Sequence, residues 1–432
     1  MIKRIEIKGY RLLDGFSADF GPLTVVIGPN ATGKSSLLDC LTLVTTCMEW
    51  PIETGLGMRG GVPAIANAGS PALSIEWRLT FAKPPAQSFW SNLSALGDGD
   101  YVYEVKLGMD TYGQPVPLYE CLRNAFPYPG YEAPLKLLEA TPGRSMVFSH
   151  KENRLLSFDE ATSPDSPQPQ GEQMPADEMR GLERVQQQGK LLLLARMRFM
   201  NEYPQPSWIR LLLASHALYS GFDISARSPV RTKAAEIRPN TLLDPTGDNL
   251  GTVLHEMLTR SDYRDNADDL RDFLKAAYPS VEGIFAETTY GNPPQVLVRI
   301  RENGFKRAME LWDLSDGMLR FLCLAAALFN PLPPPVVMID EPEIGLHPKL
   351  LPIVGDMIKR AAENRQVIIT THNPDLLNRF DLNQLAVMTR DDNKAYWHRP
   401  GSRASLHQML DDAVGGTLGD LQRSGELEAF QS

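Results

Sequence analysis

Residues 25–41, "VVIGPNATGKSSLLDCL", constrain the fold more than any other stretch of the chain. An unbroken apolar segment, "LTVVIG" from Leu23, reads as a buried strand. It runs into a loop bearing Gly28 and Gly33, and a helix begins at Lys34. The spacing is G-x-x-x-x-G-K-[ST], met in the strand-loop-helix setting where that spacing has physical meaning. Two glycines let the backbone turn its N–H groups inward, and the helix N-terminus adds a partial positive charge. The loop and first turn, Gly28, Pro29, Asn30, Ala31, Thr32, Gly33, Lys34, Ser35 and Ser36, are therefore the expected cradle for the phosphates of ATP. Lys34 is expected to reach the β and γ phosphates, and the Ser35 hydroxyl to ligate Mg²⁺.

A second stretch, "PVVMIDEPEIGLHP", places four apolar residues, Val336 to Ile339, before Asp340 and Glu341. After a strand, Asp-Glu alone reads more often as a polar loop. Together with a phosphate loop it reads as carboxylates at the carboxyl end of a parallel strand, where open α/β sheets bind ligands. Asp340 suits the surroundings of Mg²⁺, and Glu341 suits a general base that polarises the attacking water. A third stretch, "LWDLSDGMLRFLCLAAALF", sets Ser315 ahead of an apolar helix. By itself Ser315 is an N-cap; the functional alternative is an anion-binding surface made of Ser315, the Gly317 backbone and the helix terminus. A fourth, "RQVIITTHNPDLL", ends another buried strand at Thr371-His372, one strand-helix-strand unit after Glu341. That spacing puts His372 beside Glu341 and in reach of a γ-phosphate.

In this order the four stretches resemble the ABC-type ATPases. More narrowly, the chain is similar to the stand-alone bacterial ATPases grouped with RecF, the structural-maintenance-of-chromosomes heads and the overcoming-lysogenization-defect proteins. "GDNLGTVLHEM" at 247–257 and "GTLGDLQRSGELEAF" at 416–430 share that likeness, so it covers nearly the whole chain. The resemblance implies a P-loop NTPase of ABC-type head architecture. It also implies a homodimer in which ATP on one phosphate loop is closed over by the "LSDG" segment of the other copy, so that Ser315 and Gly317 act in trans. By linkage, ATP that touches both copies drives their association. Tyr10-Arg11 resembles the aromatic-basic pair near the start of chromosome-maintenance heads, which implies that Arg11 approaches the nucleotide. Asp316 departs from the pattern, standing where transporter-type members have a second glycine; an acid there needs to face away or be paired. Gln114 is a weak candidate for the Mg²⁺-sensing glutamine. Glu343 and His347 fall where such proteins place a dimer-communication loop, and serve equally well as surface contacts.

The rest of the chain fits one α/β head. Residues 1–159 are expected to give the N-terminal part of the core with an antiparallel β lobe ("ALSIEWRLTF", "YVYEVKLGMD", "PVPLYECLR"). Residues 160–178, rich in Pro, Ser, Gln and acid, read as a connector that cannot bury enough surface to fold alone. Residues 179–294, with "WIRLLLASHALY", read as a helical lobe, and 295–432 as the C-terminal part of the core. The opening lacks the apolar stretch of a secretory signal, and the longest apolar run, "FLCLAAALF", is too short to span a bilayer. Cys40, Cys47, Cys121 and Cys323 show no paired spacing. A cytoplasmic protein without membrane partners is expected.

A formal charge of −10 argues against a surface that is basic overall. Arg227, Arg231, Lys233 and Arg238 cluster, but such a cluster is usually a solvated face. Two functions compete: a regulatory ATPase that holds or releases a partner effector, as in phage defence, and a DNA-acting ATPase of repair or recombination. A transporter subunit fits poorly, because the "LSDG" segment lies far from the phosphate loop. Asp391-Asp392 reads as a hairpin turn rather than a nuclease site.

Overall fold

The computed structural model describes residues 1–69, 73–83, 99–127, 132–150, 152–158, 191–197, 203–232, 235–237, 242–289, 294–332, 334–411 and 416–429. The expected connector at 160–178, together with Lys233 and Arg238, lies outside the described residues. The chain folds into two compact units. One comprises Met1–Phe20, Asn30–His216 and Thr389–Trp397; the other comprises Gly21–Pro29, Ala217–Met388 and His398–Ser432.

The first unit is built on an eight-stranded antiparallel sheet. Its order is Phe16–Asp19, Ile2–Lys8, Ile75–Phe81, Tyr101–Met109, Pro115–Asn124, Lys136–Thr141, Arg144–Ser149 and Arg154–Ser157. Alternation explains the two faces. In Ile75–Phe81 every second residue is buried, and the outward residues, Glu76, Arg78 and Thr80, are polar, two of them charged. Those charges pair across strands: Arg78 with Glu6 at 3.0 Å and Glu104 at 2.7 Å, Lys106 with Glu76 at 2.6 Å, and Arg123 with Glu104 at 2.9 Å. Helices Lys34–Glu49 and Pro204–Ala214 belong to this unit, the second bringing Trp208 edge-on to Tyr101 with ring centroids 5.9 Å apart.

The second unit holds a parallel sheet in which Ala217–Tyr219, Val336–Asp340, Gln366–Thr370, Leu23–Ile27 and Leu385–Val387 lie side by side. Leu23–Ile27 and Gln366–Thr370 are buried at every position, as a sheet covered on both faces requires. Helix Asp316–Leu328 is apolar nearly all round and accordingly sits in the core; Leu250–Thr259, Arg264–Ala277 and Leu351–Ala362 add amphipathic faces to it. A small antiparallel sheet centres on Gln295–Glu302, paired with Val281–Thr289, Ala235–Glu236 and Met309–Glu310. The architecture is thus mixed α/β, with a parallel phosphate-loop sheet and a separate antiparallel sheet.

One local expectation is corrected. "WIRLLLASHALY" is not helical throughout: the helix stops at Ala214, and Ala217–Tyr219 is a strand paired in parallel with Val337–Ile339. Three residues are too few to register as a period-two signal beside a strong helical one. Strands also enter the rest of the middle stretch expected to be helical, at Ala235–Glu236 and Val281–Thr289. All four cysteines are buried and free, and no described helix is long and apolar enough to cross a membrane.

Candidate nucleotide site

Within the second unit three strand ends lie together. Asp340 pairs in register with Thr370, and Thr370 with Val26, one residue before the strand that feeds the phosphate loop ends. Gly28, the first loop residue, has φ +141°, and a Cβ there would meet the Met388 carbonyl oxygen at 2.1 Å. Only glycine lets the chain leave its strand so close to its neighbour's backbone. The loop then passes through Ala31 at φ 63° and Gly33 at φ 104° to helix Lys34–Glu49. Lys34, Thr32 and Gly33 are buried, Ser36 is half-buried, and Pro29, Asn30, Ala31 and Ser35 are exposed.

The carboxylate and histidine segments are stitched together residue by residue. The Thr370 hydroxyl donates to Asp340 Oδ1 and accepts the Glu341 N–H at 3.1 Å, and that N–H also reaches the Thr370 carbonyl at 3.2 Å. One residue further on, the Thr371 hydroxyl donates to Glu343 Oε1 at 2.7 Å, and the His372 N–H donates to the same oxygen at 3.1 Å. The Thr371 N–H is held by the Val26 carbonyl at 3.1 Å. These bonds leave His372 Nε2 3.7 Å from Glu341 Oε1, with both side chains about one-third exposed. Burial is the main cause that raises the Glu343 pKa, opposed by the donors from Thr371 and His372. Glu343, expected in a contact loop, is instead turned inward. His347 stays exposed, its Nδ1 capping a short turn through the Lys349 N–H at 3.2 Å.

The "LSDG" segment, in the same unit, presents Ser315 and Asp316 at the surface with Gly317 half-buried. Ser315 caps helix Asp316–Leu328, its hydroxyl accepting the Met318 N–H at 3.3 Å. Asp316 is paired: Arg231 Nη2 lies 2.6 Å from its Oδ1. Arg231 also donates to the carbonyls of Ile224 at 2.9 Å, Trp312 at 3.2 Å and Leu314 at 2.9 Å. The basic cluster expected to be a solvated face thus contains a side chain that organises the "LSDG" loop; Arg227 is exposed, as that expectation requires.

In the first unit Arg11 adopts φ 46°, its N–H donating to the Ile65 carbonyl at 2.7 Å and its guanidinium lying 3.0 Å from Asp39. Asp39, on the phosphate-loop helix, also accepts from Tyr10 Oη at 2.6 Å and Arg59 Nε at 2.8 Å. No local pattern in the sequence marks Asp39 as the partner of Arg11, or Arg59 as its competitor. Gln114 lies exposed in the hairpin turn closed by Asp110, its N–H donating to Asp110 Oδ1 at 2.8 Å. Asp391-Asp392 sits at the connection from strand Leu385–Asp391 to strand Lys394–His398, with Asp392 at φ 49°. No group of three or more potential metal-ligating His, Cys, Asp or Glu side chains occurs among the described residues. Asp340, at the end of its strand, offers a hard carboxylate oxygen of the kind that suits Mg²⁺.

Residues 198–378 match the family model described as "AAA domain, putative AbiEii toxin, Type IV TA system", and residues 1–48 match the model described as "AAA ATPase domain". The DNA repair protein RecN of Rickettsia bellii is 31% identical over 108 residues, 25% of this chain and 18% of that protein. The OLD nuclease of Thermus scotoductus is 39% identical over 51 residues, 12% of this chain and 10% of that protein. The chain thus spans less than a fifth of the length of these curated relatives. A solved SMC head bound to the C-winged helix domain of ScpA superposes with a TM-score of 0.49 at 12% identity, covering 92% of this chain and 97% of the other. Two separate stretches of the chain, residues 1–48 and 198–378, are thus similar to AAA-type ATPase domain models.

Proposed function

We propose that the protein is an ATP-hydrolysing switch that pairs head to tail on ATP and controls a partner effector. The observation that carries this reading is the stitching of Asp340, Glu341 and Glu343 to Thr370, Thr371 and His372 beside the strand that feeds the phosphate loop. In this reading the loop from Gly28 to Ser36 binds the triphosphate, with Lys34 on the β and γ phosphates. Mg²⁺, held by Ser35 and Asp340, supplies charge neutralisation of those phosphates when bound. Glu341 takes the proton of the attacking water, and His372 orients the γ-phosphate and holds Glu341 in place. Ser315 and Gly317 of a second copy close the site. The exposure of Ser315 supports that role, and Arg231 offsets the acid at 316 that would otherwise repel a phosphate.

A partner effector is favoured over DNA by charge. The chain carries a net −10, and the outward Arg78, Lys106 and Arg123 of the antiparallel sheet are each offset by a glutamate, so these three form no free cationic stripe. The matched family description, which names a toxin and a type IV TA system, points the same way; the names of the RecN relatives, DNA repair proteins, keep a repair role as the second reading.

Steady-state ATP hydrolysis and sedimentation test the proposal together. Lys34→Ala is expected to lose turnover, Glu341→Gln to retain ATP and accumulate as a dimer, and Ser315→Arg to bind ATP without pairing. Mixing Ser315→Arg with Lys34→Ala is expected to restore partial activity. Wild-type turnover in Lys34→Ala refutes the phosphate-loop assignment; a mixture that stays inactive refutes closure in trans.

A further inference from the structure

The stretch "GTLGDLQRSGELEA", residues 416–429, has no place in the chemistry above, yet it folds onto the turn that carries His372. Thr417 and Asp420 form a reciprocal cap on helix Leu418–Arg423, the Thr417 hydroxyl accepting the Asp420 N–H at 3.3 Å and Asp420 accepting the Thr417 N–H at 2.9 Å. That cap fixes the position of Gly419. The Gly419 N–H donates to Asn378 Oδ1 at 2.6 Å, and a Cβ at this residue would lie 2.5 Å from the Pro374 carbonyl oxygen. Glycine is required here by the close approach of two backbones. Leu418, Leu421 and Leu427 are buried in the same core as Leu376 and Leu377, and Arg423 reaches Asp375 at 2.9 Å.

The gripped element, Pro374–Leu377, begins two residues after His372. Asn373 caps it by accepting the N–H groups of Asp375 at 2.9 Å and Leu376 at 3.2 Å, and its own N–H donates to Thr371 Oγ1 at 3.0 Å. His372 therefore stands between two clamps: Glu343 on the side of its strand, and the closing segment on the side of its helix.

We propose that Thr417–Arg423 is a positioning element for His372: by fixing Pro374 and Asn378 through Gly419, it sets the reach of His372 toward Glu341 during turnover. The inference rests on the ATPase reading above and adds a segment to its machinery. Gly419 is not bonded to Glu341 or His372; its effect is transmitted by the backbone of Asn373 and Pro374.

The test uses the full chain with Gly419→Ala and Asn378→Ala, and Ile284→Ala as a control buried elsewhere in the same unit. ATP hydrolysis and amide hydrogen exchange are measured on each. Gly419→Ala is expected to lower kcat about tenfold to a hundredfold, since a misplacement of ~1 Å costs on the order of 10²-fold. KM for ATP should hold, and exchange should quicken at the His372 and Asn373 amides. Ile284→Ala should change neither the kcat nor the exchange at these amides. Wild-type kcat together with wild-type exchange at His372 overturns the proposal, as does an equal kcat loss in Ile284→Ala. Should Gly419→Ala fail to fold, Asn378→Ala is judged by the same criteria. Turnover that survives in Lys34→Ala sinks the ATPase reading itself, whereas loss there with full activity in Gly419→Ala sinks only the positioning role.

Discussion

Replacing Arg231 with methionine isolates what holds the "LSDG" loop in place. Methionine keeps much of the apolar stem and removes the guanidinium, which contacts Asp316 and the carbonyls of Ile224, Trp312 and Leu314. The four losses are unequal. Asp316 is 75% exposed and Trp312 sits at the surface, so water takes over those two contacts at little cost. Ile224 and Leu314 are buried, and each carbonyl deprived of its donor there costs about 1–3 kcal/mol. The expected destabilisation is therefore about 3 kcal/mol, nearly all of it from two main-chain acceptors rather than from the ion pair. Urea unfolding of wild type and Arg231→Met measures it, and ATP-dependent dimerisation of the same samples reads the functional cost: pairing should weaken, because Ser315 and Gly317 then sit on a loosened loop. Arg231→Lys sharpens the test. An ammonium restores charge opposite Asp316 but lacks the planar fork that reaches several carbonyls at once, so it should recover only a small part of the stability. Full recovery by lysine, or an unchanged unfolding midpoint in Arg231→Met, refutes the reasoning.

Glu343→Ala removes the acceptor shared by the Thr371 hydroxyl and the His372 N–H, and is expected to lower kcat while leaving ATP affinity intact; Glu343→Gln keeps an acceptor oxygen and should restore most of the activity. Equal losses in the two variants would show that charge at 343, not this bond pair, is what matters. Glu120, fully buried in the first unit, accepts from Tyr103 Oη at 2.8 Å and from the Leu193 and Leu194 N–H groups at 2.5 Å and 2.8 Å. Burial nevertheless pushes its pKa up from 4.5 to about 7. The folded state then keeps a proton that the unfolded chain releases, so this group's contribution is present below the unfolded value and is lost as pH rises through the folded one. From about pH 4.5 to about pH 8 the loss amounts to roughly 3 kcal/mol. Urea unfolding of wild type and Glu120→Gln across that range should show the difference moving in the variant's favour by about this amount; a difference that stays flat contradicts the assignment.

Much of the site is legible in the sequence because buried parallel strands announce themselves. Val336–Ile339, Val367–Ile369 and Leu23–Ile27 are unbroken or nearly unbroken apolar runs, and the residues just beyond them, Asp340, Thr371-His372 and Gly28, stand where chemistry can sit in such a sheet. Partners at long range are not legible. Nothing local marks Arg231 as the counter-charge of Asp316, 85 positions away, because an arginine in a basic cluster has the same neighbours whether it points outward or inward. Glu343 is hidden for a related reason: its worth as an acceptor comes from Thr371 and His372, which approach only when two strands pair. The antiparallel sheet is legible from its first strands, but its continuation through 136–157 rests on short hairpins whose alternation is too brief to stand out.

Backbone strain adds information that no residue type carries. Six non-glycine residues among those described have positive φ: Arg11, Ala31, Leu73, Asn153, Glu341 and Asp392. Asn153 and Asp392 stand in hairpin connections and are of the type that tolerates this conformation. Of the other four, Ala31 and Glu341 are positions proposed to face the nucleotide, and Arg11 is one that the family resemblance implies approaches it. Arginine, alanine and glutamate have no preference for the left-handed region, and each such residue costs on the order of 1–3 kcal/mol. The cost is borne where surrounding bonds over-determine the geometry. Glu341 has its N–H fixed by both oxygens of Thr370, and Arg11 has its N–H fixed by Ile65 and its guanidinium by Asp39. A glycine at 341 would relieve the strain and lose the carboxylate; the chain keeps the carboxylate and uses Thr370 to hold it.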